Sequence, residues 1–422
     1  MISRKRILAL GTLVILILML TPIPVLAEEL VGKIFIIANE GTLREEQPSI
    51  TYNSQRNHYL VVWSNNRPGN DDIRAQKVAV DGSLIGGPFY ISGGPDHDRW
   101  KPDVTYDRVQ DQYLVVWEDY NNKSPATGYS ICARRVSGTG LVLDSNDIFI
   151  TGPGSNLYTP SEPAVAFSDA FNRYLVVWHE VFHPTGSHTI YSQVVRPNGT
   201  LDGTPQPIST SIKIHSAPDV AYNPREDRYM VAWQEYNSGT NVYDVKGHQV
   251  VGNGNLYGST ITYDNSGIAH EGPVVAALPN NSNDITYMIA WIIKKSNGWE
   301  GYSNAFTDRF GTKLGFGSTS SSYQSFSHIA LAANPNSETF LYAYQLDQGI
   351  MDKSIFLYQE DHNAFYKDSF EISGPANDFP AIAAGPTGDY LVAWQGQPLS
   401  ITHTNIYGQV IGNRSYLPLM KK

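Results

Sequence analysis

The sequence predicts an all-β fold, a seven-bladed β-propeller whose blades are four-stranded antiparallel sheets. Three observations predict it: a Tyr-Leu-Val-Val-Trp string recurs along the chain, further short strand patterns follow each copy, and the two chain ends supply complementary parts of one blade. A repeat of about 40 to 60 residues with several short strands per unit is typical of propellers.

The Tyr-Leu-Val-Val-Trp string predicts the second strand of each blade. Alternating β-branched and aromatic residues favour strands over helices. Successive copies are 50 to 61 residues apart, and we expect their final aromatic rings to pack between neighbouring blades. The copies end at Trp63, Trp117, Trp178, Trp233, Trp291, Tyr344 and Trp394.

The other three strands of each unit follow from shorter patterns. Six units start with a proline and alternating apolar residues, a position where proline removes no ladder hydrogen bond. The prolines are Pro48, Pro102, Pro163, Pro218, Pro273 and Pro380, and His328 takes this place in the sixth unit. Third strands are predicted at 73–78, 131–136 and 406–411, and fourth strands at 89–92, 148–151 and 370–373. The third strands of units five and six match weakly, near Gly301 and Ile355.

The chain ends predict how the ring closes. The last unit has strands at Ala381, Tyr390 and Ile406 and then stops, whereas one spare strand, 35–38, precedes the first unit. We therefore expect residues 33–38 to add the outer strand to the seventh blade, which leaves no open sheet edge at the seam. A single blade cannot bury both of its faces, so the repeats predict one domain.

The N-terminal segment predicts export. Arg4, Lys5 and Arg6 precede an apolar run over 7–20, and small residues end at Ala27, the layout of a secretory signal peptide. The alternative is an uncleaved membrane anchor, for which the run is short. The predicted organisation is a signal peptide at 1–27, a propeller at 28–412 and a tail at 413–422. The protein is then secreted, extracellular or bound at the cell surface.

Charge and cysteine content narrow the class of partner. The chain has a formal net charge of −10 and no basic run, which argues against nucleic acid or an anionic membrane surface. No later segment is long and apolar enough to span a bilayer. The single cysteine, Cys132, predicts a buried structural thiol. We expect a monomer that binds a carbohydrate or an extracellular protein.

These repeats resemble those of the secreted bacterial β-propellers built from YLVVW and I-x-x-Q-x-V motifs. The resemblance covers nearly the whole mature chain and implies the fold and export, but no uniform activity. The chain has no serial Trp-Asp signature, no paired-glycine kelch pattern and no Ser-x-Asp-x-Gly-x-x-Trp box of the sialidases.

Loop lengths predict the face that carries a site. The loops from Trp63 to Ile73, from Trp117 to Ile131 and from Trp178 to Ile190 differ in length, whereas the turns between first and second strands do not. Variable loops on a rigid scaffold are where binding usually occurs. The fourth-to-first loops reach the same face, and their ends are expected to ring the mouth of the central channel. The candidate ligand-binding residues there are Glu46, Trp100, His215, His270, Glu271, Asp378 and Phe379.

This set mixes aromatic rings, which stack on sugars or peptides, with carboxylates, which accept hydroxyl protons. The alternative is that the rings pack onto the propeller and the acids are solvated. His215, His270 and Glu271 could also hold a zinc ion, but no local spacing motif supports this, and no cofactor is expected.

Three function classes remain open from the sequence. The leading one is a secreted, non-enzymatic binding module that uses the variable-loop face. The second is an extracellular glycan-active hydrolase or lyase, since Asp119, Glu180 and Glu235 each follow a second-strand tryptophan by two residues and paired carboxylates can hydrolyse glycosides. The third is a structural component of the cell envelope. Substitution of Trp100 and Glu271 is expected to separate a binder, which loses affinity, from an enzyme, which loses turnover.

Overall fold

The structure, a computed structural model, describes most of residues 32–412. The segments outside this description are 1–31, 42, 68–69, 122–127, 153–156, 210, 280–285, 295–299, 309–312, 322–324, 348–352, 362–365, 373–376, 398–402 and 413–422. The described residues form seven antiparallel four-stranded sheets and no helix. The sheets are the blades of a seven-bladed β-propeller, as predicted. The predicted signal peptide and tail lie outside the described residues.

The strands follow one another along the chain, four to a blade. Blade one has β2 (Arg44–Asn53), β3 (His58–Arg67), β4 (Asn70–Ala79) and β5 (Leu84–Ser92). Blade two has β6 (His97–Asp107), β7 (Gln112–Asn121), β8 (Gly128–Ser137) and β9 (Ile148–Phe149). Blade three has β10 (Tyr158–Ser168), β11 (Arg173–Phe182), β12 (Ser187–Val195) and β13 (Leu201–Pro207). Blade four has β14 (His215–Asn223), β15 (Arg228–Asn237), β16 (Val242–Val251) and β17 (Leu256–Asp264).

The remaining three blades follow the same plan. Blade five has β18 (Ala269–Ala277), β19 (Tyr287–Lys294), β20 (Glu300–Thr307) and β21 (Lys313–Ser321). Blade six has β22 (Ser325–Asn334), β23 (Thr339–Asp347), β24 (Lys353–Asp361) and β25 (Tyr366–Ile372). Blade seven has β26 (Asn377–Ala384), β27 (Tyr390–Gly396) and β28 (Asn405–Ile411), and its outer strand is β1 (Phe35–Ala38).

The predicted closure of the ring is confirmed. β1 pairs antiparallel with β28, with Phe35 opposite Gly408 and Ile36 opposite Tyr407. The strand starts at Phe35 rather than at residue 33. Ile37 is 2% exposed and packs in a cluster that joins blades one and seven. The N-terminal strand therefore contributes both ladder hydrogen bonds and buried apolar area to the seam.

The second-strand tryptophans pack between neighbouring blades, as predicted. Trp117 of blade two lies in one cluster with Leu60 and Ile73 of blade one, and Trp63 lies with Ile406 of blade seven. Cys132 is fully buried, and this burial raises the pKa of its thiol well above the usual range. A buried, protonated thiol is a poor nucleophile, so the structure supports the structural assignment of this cysteine.

The first strand of every blade contains a β-bulge that the sequence patterns did not predict. One residue in each has φ between 47° and 56°, and the next residue is proline in six blades. An extra residue at a bulge interrupts the ladder, and proline tolerates this position because it has no N–H to lose. The bulge residues are Gln47, Lys101, Glu162, Ala217, Gly272, His328 and Phe379.

Two sequence expectations need correction because of these bulges. His328 does not replace the proline of the sixth blade: it is the bulge residue. Ile329, which stands opposite Tyr344, follows it as a proline follows the bulge residue in the other blades. The first strands also begin before the bulge. The residues expected in the fourth-to-first loops therefore lie inside strands, with Glu46 in β2 and Trp100 in β6 as examples.

Among the residues that the structure describes, no helix has the length and apolarity needed to cross a bilayer.

Candidate functional site

The inner strands enclose a central channel with a volume of about 780 Å³. The bulge residues lie at the end of the channel that faces the variable loops, and we call this ring of seven bulge residues the channel mouth. Below them the channel wall is formed by the prolines, by small or apolar residues and by the carboxyl groups of Asp103 and Asp219. The channel mouth is therefore the first candidate site.

Hydrogen bonds between adjacent blades occupy much of the polar surface at the channel mouth. The backbone N–H of Glu162 donates to Oε1 of Glu118 in the preceding blade, at 2.6 Å. The N–H of Ala217 donates in turn to Oε2 of Glu162, at 2.7 Å. The N–H of Gly272 donates to Oε1 of Gln234, at 3.1 Å. These side chains fix the bulges and join the blades, so they have a structural role that does not require a ligand.

Of the seven candidate residues from the sequence, only Glu271 and Phe379 line the channel. Glu271 is half exposed and forms an ion pair with Lys294 at 2.6 Å. The ring of Phe379 lies against the imidazole of His328, with centroids 3.7 Å apart. A ligand-binding role for these two residues stays a prediction.

Three further candidates lie one residue before the bulge, in β2, β6 and β26, and do not line the channel: Glu46, Trp100 and Asp378. Asp378 lies 2.9 Å from Nδ1 of His328 and forms an ion pair with Lys353 at 3.3 Å. Burial of Asp378 acts to raise its pKa, but the His328 hydrogen bond and the nearby cations outweigh burial and lower it. Burial raises the pKa of Glu46, which faces Arg44 at 4.0 Å.

His215 and His270 are fully buried between blades and do not reach the channel. Nδ1 of His215 lies 2.9 Å from the carbonyl oxygen of His188 in blade three, and Nε2 lies 3.1 Å from Glu235. Nδ1 of His270 lies 2.6 Å from the carbonyl oxygen of Tyr243, and its Nε2 lies 3.0 Å from Asp264, both in the preceding blade. The seven residues therefore do not all converge at the mouth. His215 and His270 lie two residues before a bulge, where the strand pleat points their side chains into the blade interfaces.

The three carboxylates that follow the second-strand tryptophans have different surroundings. Asp119 lies 2.8 Å from Nδ1 of His97 and forms an ion pair with Arg99 at 3.4 Å. Glu235 contacts Lys213 at 2.8 Å as well as His215, and these partners outweigh burial and lower its pKa to about 2. Both are therefore held in ion pairs with basic side chains. Glu180 is the exception.

Glu180 lines a second cavity, between blades two and three at the variable-loop face, with a volume of about 370 Å³. Four aromatic rings contribute to its wall, and we call it the aromatic cleft. Blade two and the segment after β9 contribute Tyr129, Thr151 and Gly152, and blade three contributes Tyr158, Pro160, Trp178, Glu180, Tyr191 and Pro205.

Each tyrosine of the aromatic cleft is braced by a second ring. Tyr191 of β12 stands opposite Trp178 of β11, and the two rings stack with centroids 5.8 Å apart. Tyr158, the first residue of β10, stacks on Phe182 at 4.9 Å. Tyr129 of β8 lies 4.8 Å from the ring of Tyr120. Such contacts restrict ring motion, so the cleft is organised before a ligand arrives.

The pleat of β11 places Trp178 and Glu180 on one face of the strand. The indole N–H of Trp178 donates to Oε2 of Glu180 at 3.3 Å. Burial raises the pKa of the Glu180 carboxyl group, and the tryptophan hydrogen bond offsets this in part. In the part of the lining that the structure describes, Glu180 is the single ionisable group besides the tyrosines.

Sequence reasoning found Glu180 but missed the three tyrosines. A signal was present: Tyr120, Tyr129, Tyr158, Phe182 and Tyr191 all lie close in sequence to the variable loops of blades two and three. No three described His, Cys, Asp or Glu side chains come together in a way that could hold a metal ion.

The chain matches no protein-family model, and it matches no curated protein. Similar folds are found among solved structures. A protein of unknown function from Dyadobacter fermentans is 11% identical over 92% of this chain and 100% of its own, with a TM-score of 0.56. A Hadza microbial sialidase is 10% identical, with coverage of 85% and 77% and a TM-score of 0.50. The intramolecular trans-sialidase from Ruminococcus gnavus is 9% identical, with coverage of 90% and 97% and a TM-score of 0.50. At these identities the similarity shows the propeller fold alone.

Proposed function

We propose that this protein is a secreted, non-enzymatic carbohydrate-binding protein and that the aromatic cleft is its binding site. One observation carries the proposal: Tyr129, Tyr158 and Tyr191 are braced around a single carboxylate in a concave site. Aromatic rings stack on the apolar faces of sugars, and a carboxylate accepts hydrogen bonds from hydroxyl groups. The volume is at the lower end of the range of about 300 to 1,000 Å³ typical of ligand pockets, which suits a short saccharide.

The number of carboxyl groups in the aromatic cleft favours binding over glycoside hydrolysis. Most glycosidases use two carboxyl groups that flank the scissile bond, one as acid and one as base or nucleophile. The described lining of the cleft supplies one, Glu180. Asp119 and Glu235, the other two candidates from the sequence, are engaged in ion pairs with basic side chains. The cleft therefore has the components of a binding site without those of a two-carboxylate catalytic site.

The expected export of the chain supports an extracellular glycan as the partner. A basic start at Arg4, an apolar run and a small residue at Ala27 have the layout of a cleaved signal peptide. We expect the secreted protein to begin at Glu28, which N-terminal sequencing of the exported protein tests directly.

A glycan array probed with the purified protein tests the proposed function. We expect a defined subset of glycans to bind, and we expect Tyr191→Ala and Tyr158→Ala to lose this binding while their melting temperatures show that they remain folded. Tyr257→Ala is the matched control. Tyr257 is a partly exposed tyrosine that packs on Arg228, and it lies in the outer strand of blade four, outside the aromatic cleft.

Two outcomes would count against the proposal. Binding that survives both cleft substitutions would place the site elsewhere on the protein. Release of shorter sugars from a bound glycan during long incubation would show turnover and would favour the glycan-active enzyme instead.

A further inference from the structure

The charge of the aromatic cleft is unusual for a propeller surface that is otherwise rich in ion pairs. The equivalent carboxylates in blades two and four, Asp119 and Glu235, each contact basic side chains. Glu180 has the same offset from its tryptophan, but the described residues of the cleft include no Lys, Arg or His. Among the described residues, the one hydrogen-bond donor to Glu180 is the neutral indole of Trp178.

An ionised carboxylate beside aromatic rings is costly unless a cation or several donors compensate it. The raised pKa of Glu180 has burial as its main cause, which agrees with this environment. A positively charged ligand would remove the cost by pairing with the carboxylate. Aromatic faces also attract cations through their quadrupoles, so Tyr158 and Tyr191 would add to the attraction. A negatively charged sugar would meet only repulsion from Glu180.

We propose that the aromatic cleft selects amino sugars with a free, protonated amine, with the ammonium group paired to Glu180 and the sugar ring against the tyrosines. This inference rests on the proposed carbohydrate binding and names the class of sugar. Neutral sugars retain the aromatic contacts and bind more weakly. Sugars that carry a carboxylate, such as uronic and sialic acids, are excluded by charge.

Calorimetric titration with three trisaccharides separates these classes: a glucosamine trimer, an N-acetylglucosamine trimer and a galacturonic acid trimer. At about pH 6.5 the free amines carry positive charge. We expect the wild-type protein to bind the glucosamine trimer about tenfold more tightly than the N-acetylated trimer, the size of one charge-assisted pair in a partly buried site. We expect no detectable binding of the galacturonic acid trimer.

Substitutions show whether Glu180 causes the preference. Glu180→Gln keeps the size and the hydrogen-bond acceptor but removes the charge, so the two glucosamine-based trimers should bind with similar affinity. Asp81→Asn is the control, because it removes an equal charge from an exposed turn between β4 and β5 of blade one, outside both candidate sites. The chain has a net charge of −10 and attracts any cation weakly, and this control measures that background.

The outcomes distinguish the two proposals. A preference for the free amine that disappears in Glu180→Gln and persists in Asp81→Asn supports the inference. Equal or weaker binding of the glucosamine trimer, or a preference unchanged in Glu180→Gln, overturns it. If the N-acetylated or acidic trimer binds best and Tyr191→Ala abolishes that binding, the charge preference fails while carbohydrate binding in the cleft stands. If none of the trimers and no glycan of the array binds, both proposals fail.

Discussion

Gln395 and Gln47 are 348 residues apart and are joined by a hydrogen bond: the backbone N–H of Gln47 donates to Oε1 of Gln395 at 2.8 Å. Oε1 of Gln47 then accepts the backbone N–H of Lys101 in blade two at 2.9 Å. The seam between blades one and seven is thus joined at the channel mouth as well as at the rim, where β1 pairs with β28. Closure at both places holds the variable-loop face in a fixed shape.

At the rim of this seam, we predict that two adjacent residues of β1 contribute differently to the stability of the protein. Ile37→Ala should lower the free energy of unfolding by about 2 to 5 kcal/mol, because Ile37 is buried in the cluster joining blades one and seven. Ile36→Ala is the control, since Ile36 is 45% exposed. Denaturant unfolding measures both. Equal effects of the two substitutions would contradict closure by β1.

The bulges predict that substitutions at two equivalent positions change the stability of the protein in opposite directions. Ala217 and Gly272 have φ of 50° and 55° in blades four and five. A side chain in this conformation costs about 1 to 2 kcal/mol relative to glycine, and no atom lies within 4 Å of the Cβ position of Gly272, so backbone strain is the main term. Ala217→Gly should stabilise the protein and Gly272→Ala should destabilise it by about 1 kcal/mol. Thermal unfolding of the pair tests this, and two changes of the same sign would refute it.

A buried acid predicts how stability depends on pH. Burial raises the pKa of Glu360 to about 7 from the usual value of 4.5, against the opposing effect of hydrogen bonds from Tyr342 and Asn304. Because the folded state prefers the protonated form, its stabilising contribution is complete below about pH 4.5 and is lost as the pH rises through about 7. Glu360→Gln retains an oxygen acceptor without this titration.

We therefore expect Glu360→Gln to gain stability relative to the wild type between pH 4.5 and pH 8, by up to about 3 kcal/mol. Unfolding free energies of both proteins at several pH values give the difference directly. A difference that does not change with pH would show that Glu360 titrates normally in the folded protein.

The fold could be predicted because closure depends on counting strands. The seven copies of the second strand, and the match between spare residues 35–38 and the incomplete last blade, determine the topology without any knowledge of side-chain packing. The bulges could not be predicted in the same way. One extra residue leaves the apolar alternation on either side intact, so the pattern predicts His328 at the proline position, one residue away from its place in the structure.

The site was harder to predict, for two physical reasons. The first strands begin several residues before their prolines. His215 and His270 therefore belong to strands, and their side chains are buried between blades. Tyr129 comes from blade two, and Tyr158 and Tyr191 come from blade three. Their proximity depends on how adjacent blades pack, which a pattern within one repeat does not encode.

A crystal structure of the protein with its best-bound oligosaccharide tests carbohydrate binding in the aromatic cleft most directly. We predict a sugar ring in van der Waals contact, at about 3.5 to 4 Å, with Tyr158 or Tyr191, and a sugar donor within hydrogen-bond distance of Glu180. A sugar bound at the channel mouth beside Glu271 and Phe379, with the cleft empty, would contradict the proposal.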